Sequence, residues 1–252
     1  MTPIPSAYHS ALLAAAVYPY EVRTGKAQSV RGTGPDPAIC ERLGVDVIDW
    51  IDDDSGTQVA VFRWRSVPTV EIVARGTDSL QDWRANVRSR FSPRGWLGLW
   101  EEVEERVLDA IPRRSGVCIR IAGHSLGGQL ARMAALTLAN QLFVRPHVTT
   151  FGAPRGCTNL QRAEIEDAAS GERYESPLDP VTWLPRRVPF LGGVGSRSPH
   201  DRISVNRIAR PVGVGVAAWW MAQHAICNYC AALDPGKKKA RDPVDRGLVH
   251  PV

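Results

Sequence analysis

At 252 residues, 44% hydrophobic and 23% charged, the chain can bury a sizeable core and is composed like one α/β domain. Its net charge of +5 is carried almost wholly by arginine, since three of its four lysines form Lys237-Lys238-Lys239. So modest an excess is no nucleic-acid-binding signature; it suits a solvated surface with a basic tail, or attraction to an anionic lipid surface.

Along the chain, the short apolar run Ala11 to Val17 has no Lys or Arg before it. It therefore lacks the charged flank of a secretory signal and reads as a first helix. No stretch approaches the roughly 18 apolar residues of a membrane span, so the cytoplasm is the default expectation, with export by another route left open. Strands are predicted at Val45 to Ile51, Gln58 to Arg65, Thr69 to Arg75, Val117 to Ala122, His147 to Phe151, Arg173 to Ser176 and Arg202 to Ile208. The turn cluster Asp52-Asp53-Asp54-Ser55-Gly56 joins the first two as a hairpin, and lacks the later glutamate of a calcium loop. Helical stretches such as Trp100 to Ile111 and Leu126 to Phe143 separate the later strands. That order predicts an antiparallel beginning and a mostly parallel remainder, with helices on both faces of the sheet. One domain is expected over residues 1–235, and the polar, aperiodic residues 236–252 read as a flexible tail.

The cysteines, at 40, 118, 157, 227 and 230, are odd in number and scattered, which argues against a disulfide scaffold. Cys227 and Cys230 form a lone C-x-x-C within a helical stretch, without the second pair that a zinc site would need. No metal or organic cofactor is expected.

The chemistry is concentrated at Gly123-His124-Ser125-Leu126-Gly127. A β-branched strand precedes it and an Ala/Leu-rich helix follows, so Ser125 sits on a sharp strand-to-helix turn that presents its hydroxyl. The helix N-terminus places the Leu126 N–H beside any oxygen that develops charge when a carbonyl is attacked. Such a serine needs a base and a carboxylate to orient the base, in the chain order serine, acid, histidine. Downstream histidines are His200, in a Gly/Ser-rich stretch, His224, at the start of an apolar helical segment running to Leu233, and His250, near the end. His224 is the leading base and His200 the alternative; packing under Trp219 and Trp220 would be the purely structural role for His224. Asp179 follows a short strand and is stiffened by Pro177 and Pro180, which makes it the leading acid, with Asp201 the remaining candidate. The strand Thr69 to Arg75 ends in Gly76-Thr77, where a backbone N–H and a hydroxyl suit a second oxyanion donor.

Six segments, in order, resemble the class 3 lipase family. Ala74-Arg75-Gly76-Thr77 is similar to its F-R-G-[ST] motif, residues 81–86 to D-W-x-x-[ND], and residues 123–128 to G-H-S-L-G-G. Thr150 to Arg155 resembles T-F-G-[AS]-P-R and Asp179 to Pro185 resembles D-P-V-x-x-L-P, while His224 and Tyr229 resemble the terminal H-x-x-x-x-Y. Two family features depart: Val188 to Gly195 lacks G-[YF]-x-H, and Arg155-Gly156-Cys157-Thr158 alters R-x-G-N. The resemblance implies an α/β-hydrolase with Ser125 as nucleophile, Asp179 as acid, His224 as base, and Thr77 with Leu126 as the oxyanion hole. It implies hydrolysis of lipid esters, of lipase or phospholipase A type. A soluble short-chain carboxylesterase and a catalytically silent interaction protein are the alternatives. Trp83, Phe91, Trp96 and Leu97, among Arg84, Arg88, Arg90 and Arg94, have the mix expected of a lid or lipid-facing edge, or of a helix packing one face on the core.

Overall fold

A computed structural model of the protein describes residues 5–18, 34–76, 93–113, 115–157, 159–183, 201–204 and 223–236. Seven strands lie side by side in chain order: β1 (Val45–Asp52), β2 (Gln58–Trp64), β3 (Thr69–Ala74), β4 (Cys118–His124), β5 (His147–Phe151), β6 (Ser170–Glu175) and β7 (Asp201–Ser204). The β1–β2 and β2–β3 pairs are antiparallel, and every pair from β3 to β7 is parallel. Gly56 donates its N–H to the Asp53 carbonyl and Ser55 its N–H to the Asp53 carboxylate at 2.6 Å, so the acidic run closes the first hairpin as a turn.

The helices are α1 (Ala7–Ala16), α2 (Pro37–Leu43), α3 (Pro93–Ala110), α4 (Leu126–Leu142), α5 (Asn159–Ala168) and α6 (Ile226–Leu233), with a 3₁₀ turn at Pro180–Trp183. Strand alternation divides the core between two faces. Val59, Val61, Val70, Ile72, Ile119 and Ile121 pack with residues of α3, α4 and α5. Their neighbours Ala60, Phe62, Val73 and Ala122 point the other way and pack with residues of α1, α2 and α6. Sequential parallel strands explain this partition. Each right-handed crossover steps the same way across the sheet, so α3, α4 and α5 fall on one face, and elements from outside the crossovers must cover the other.

Some boundaries depart from the sequence expectation. α1 begins at Ala7, so the run Ala11 to Val17 is the second half of a longer helix. α3 begins at Pro93, where a proline's missing N–H costs nothing, instead of at Trp100. Trp96 is only 2% exposed and joins the core, so this part of the proposed lid is a helix packing one face inward. Trp83, Arg84, Arg88, Arg90 and Phe91 lie outside the described residues. β6 starts earlier than Arg173 because its ladder with β5 reaches back to Ser170 opposite His147. The expected strand beyond Ser204 and residues 237–252 lie outside the described residues. Among those described, no helix is long and apolar enough to cross a membrane.

Candidate active site

Ser125 stands between β4 and α4, at the carboxyl end of a central parallel strand, where ligands of open α/β sheets bind. Its φ is +57° with ψ −127°, a strained conformation for a residue with a Cβ. Neighbouring hydrogen bonds hold that turn: Ser125 donates its N–H to Phe151 O at 2.9 Å and accepts from Gly128 N at 3.0 Å. A Cβ at Gly123 would overlap the Gly127 carbonyl, and one at Gly127 would overlap the backbone of Ala74 and Arg75, so strand and helix approach this closely only through glycine. Leu126 is the first residue of α4, and its N–H is one of those that no helical carbonyl reaches.

Asp179 follows β6, and its side chain is fully buried. Its Oδ2 accepts from His224 Nδ1 at 2.8 Å and from the Tyr229 hydroxyl at 2.7 Å, while Oδ1 accepts from Val181 N at 2.9 Å. Burial alone raises the Asp179 carboxyl, but the charge and hydrogen bond of His224, with the donations of Tyr229 and Val181, outweigh it and hold the group below its ordinary range. The Tyr229 phenol is driven well above its ordinary value, first by burial and then by the Asp179 charge, so it stays a donor to the carboxylate. Its oxygen in turn accepts from Ser176 N at 3.1 Å. Gly152, with φ +54°, forms the floor: a Cβ there would come within 2.7 Å of Asp179 Oδ2, 2.9 Å of the Tyr229 oxygen and 3.1 Å of His224 Nδ1.

The loop after Gly152 is tied down from two sides. Gln129 on α4 donates to Pro154 O, and Arg173 on β6 donates from Nη2 to Ala153 O at 2.6 Å. Gly152 of the T-F-G-A-P-R segment thus lies against the Asp179–His224 pair, with the two residues after it anchored to α4 and β6.

Ser125, Leu126, Asp179 and His224 all fall at the carboxyl edge of the parallel strands. His224 occupies a turn before α6 rather than a helix, because α6 starts only at Ile226 after an extended Ala225. Thr77 and His200 lie outside the described residues, whereas Gly76, next to Thr77, is buried beside Ser125. Of Asp201 only the backbone is described, in β7. Two groups have no forecast in the sequence. Tyr18 and His124 are both about 5% exposed and stand against the site, Tyr18 after α1 and His124 as the last residue of β4. The histidine of the elbow was visible only as a motif letter, and nothing in the local sequence around Tyr18 marks it.

A nucleophile-elbow serine at a strand end, a buried carboxylate–histidine pair and a sequential parallel sheet together define an α/β-hydrolase. Residues 71–187 match the family model for lipase (class 3). That segment is similar to the class 3 lipase family and spans a little under half of the chain. No curated protein matches the chain. Solved structures do, at identities that carry the fold alone. The Rhizomucor miehei triacylglyceride lipase superposes at TM-score 0.54 with 23% identity, over 71% of this chain and 72% of that one. A lipase from Rhizopus microsporus var. chinensis gives 0.57 with 19% identity, over 71% and 68%. A mutant form of MDLA from Penicillium cyclopium gives 0.62 with 18% identity, over 84% and 83%.

Proposed function

We propose that the protein is a serine hydrolase that cleaves carboxylic esters of lipids through an acyl-Ser125 intermediate. The observation that carries this reading is the strained elbow at Ser125, on the same sheet edge as a buried Asp179 whose Oδ2 lies 2.8 Å from His224 Nδ1. With Nδ1–H committed to Asp179, the His224 lone pair is on Nε2, the nitrogen that takes the Ser125 proton. The serine oxygen attacks the ester carbonyl and the carbonyl oxygen becomes an oxyanion. The Leu126 N–H and the Gly76-Thr77 loop are the groups assigned to stabilise it. His224 then protonates the departing alcohol, and the acyl-enzyme is opened by water that His224 deprotonates.

The lipid substrate class rests on the family match at residues 71–187 and on the triacylglyceride lipase among the structural neighbours. Turnover of a long-chain ester in micelles, set against a soluble short-chain ester below its aggregation concentration, tests it. Activity confined to the short-chain ester would make the protein a soluble carboxylesterase.

The chemistry is tested by a fluorophosphonate that reports covalent capture. Labelling is expected in the wild type and in His200→Ala, and lost in Ser125→Ala and His224→Ala. Turnover in Ser125→Ala should fall by roughly 10⁴-fold or more. Labelling that survives His224→Ala and disappears in His200→Ala would move the base to His200. No labelling of the wild type, together with no turnover, would leave a silent lipase-like interaction protein.

A further inference from the structure

Beneath Ser125 a hydrogen-bonded chain joins the two loops that the reaction would use. Gly76 donates its N–H to the Tyr18 hydroxyl at 2.9 Å. The Tyr18 oxygen lies 3.0 Å from His124 Nδ1, and His124 Nε2 lies 2.6 Å from the backbone carbonyl of His224. Only one assignment of protons satisfies all three contacts. The His224 carbonyl can only accept, so His124 Nε2 carries a hydrogen. A neutral ring then has a bare lone pair on Nδ1, which must accept from the Tyr18 O–H, and the Tyr18 oxygen is left free to accept from Gly76.

We propose that Tyr18 and His124 form a positioning relay that sets the separation between Gly76, just past the end of β3 where the oxyanion loop begins, and the base-bearing turn at His224. The inference rests on the serine-hydrolase reading above and adds two residues to it, neither of which touches the reacting atoms.

The geometry is specific to holding a distance. A Cβ at Gly76 would meet the Tyr18 oxygen at 2.5 Å, the His124 carbonyl oxygen at 2.7 Å and the Ser125 Cβ at 2.9 Å, so the loop backbone is wedged against both the relay and the nucleophile. The Arg75 guanidinium sits 5.3 Å from the centre of the Tyr18 ring, gripping the preceding residue of the same loop. At the other end the His124 and His224 rings lie 4.6 Å apart, so His124 touches the base turn through both its ring and its Nε2–H. Burial first, and then the neighbouring His224, push the His124 ring down to about 3, which keeps it neutral and its polarity fixed through the working range of an esterase. Burial holds the Tyr18 phenol up at about 12, so it remains a donor. No covalent path shorter than the intervening chain links these loops: Tyr18 is 58 residues from Gly76 and 106 from His124.

A displaced oxyanion loop costs transition-state stabilisation while leaving ground-state binding intact, and that distinguishes positioning from simple structural support. The test uses Tyr18→Phe, His124→Leu, the double variant and His124→Gln, whose amide can still donate to the His224 carbonyl. All are titrated with fluorophosphonate so that rates refer to competent sites, and assayed on a soluble p-nitrophenyl ester. Tyr18→Phe is expected to lower kcat by roughly 10- to 100-fold with KM changed less than about twofold, within the range seen for lost oxyanion stabilisation. Inhibition by an alkylboronic acid, which forms a tetrahedral adduct on the serine, should weaken by the same factor, while inhibition by the matching alcohol should not move. The double variant should be little worse than His124→Leu, and His124→Gln should recover part of the loss. Wild-type kcat and boronate inhibition in Tyr18→Phe, or independent additive losses in the double variant, would overturn the relay. Should Tyr18→Phe not fold, His124→Leu against His124→Gln carries the same comparison, and equal kcat in those two would overturn it. A wild-type protein that neither titrates nor turns over overturns the hydrolase reading, and the relay with it.

Discussion

Asp179 Oδ2 and His224 Nδ1 meet at 2.8 Å across 45 residues of chain, and the carboxylate is fully buried where they meet. A buried anion is tolerated only when its lone pairs are occupied, and here three donors occupy them: His224, Tyr229 and Val181. The pair is therefore a fixed element of the fold before any substrate arrives.

Asp179→Asn should preserve the packing while favouring the wrong His224 tautomer, since the amide NH₂ presents a donor where an acceptor is required. A fall in kcat of about 10³- to 10⁴-fold is expected, with little change in Tm. Steady-state kinetics beside a thermal melt checks both halves.

Tyr229→Phe removes one donor from Asp179 and strands the Ser176 N–H that the phenol oxygen accepts. Loss of roughly 1–3 kcal/mol of stability is expected, with a kcat decrease of about tenfold. Denaturant titration and the same ester assay measure the two effects separately.

Gly152→Ala should be among the worst single substitutions in the protein. It places a Cβ against Asp179, Tyr229 and His224 at a residue whose φ is +54°. A loss above about 3 kcal/mol is expected, with activity abolished. Gly98→Ala is the control: within α3 its Cβ meets nothing within 4 Å, and the change should stabilise by roughly 0.5–1 kcal/mol. Thermal melts that rank the two variants the other way would contradict the geometry.

Acid should weaken the fold through His124. Its ring titrates at about 3 when folded and near the ordinary 6.5 when unfolded, so between those values the unfolded chain holds a proton that the folded one refuses. Stability contributed by the neutral ring is full above about 6.5 and declines as pH falls toward 3, by a total on the order of 5 kcal/mol. The groups facing the ring are Tyr18, His224, Tyr229 and, beyond His224, Asp179. Denaturant midpoints at pH 7 and pH 4.5 should converge in His124→Leu relative to the wild type.

Much of this was legible in the residues. All seven strands were placed, because β-branched runs such as Val117 to Ala122 and His147 to Phe151 lie between glycine- and proline-rich breaks. The start of β6 was missed since Ser170, Gly171 and Glu172 have no strand-like chemistry; their pairing is imposed by the edge of β5. α2 was also missed, as a seven-residue helix that depends on Asp36, which accepts from Ala38 N and Ile39 N, and on Gly44 in the left-handed region. Ser125, Asp179 and His224 could be singled out because each stands in a local pattern with a chemical reason. Tyr18 could not, because its partners come from β4 and from the loop after β3, and a contact made only in three dimensions leaves no trace in the neighbouring sequence.

The face of the sheet opposite α3, α4 and α5 is closed by α1 from early in the chain and by α6 from late in it, and α6 directly follows the turn that bears His224. A nascent chain on the ribosome therefore emerges with its serine turn long before Asp179 can meet His224. The Asp179–His224 contact can close only when synthesis has passed Tyr229 and α6 has docked beside α1, so the second face of the sheet and the candidate site are completed in the same late event.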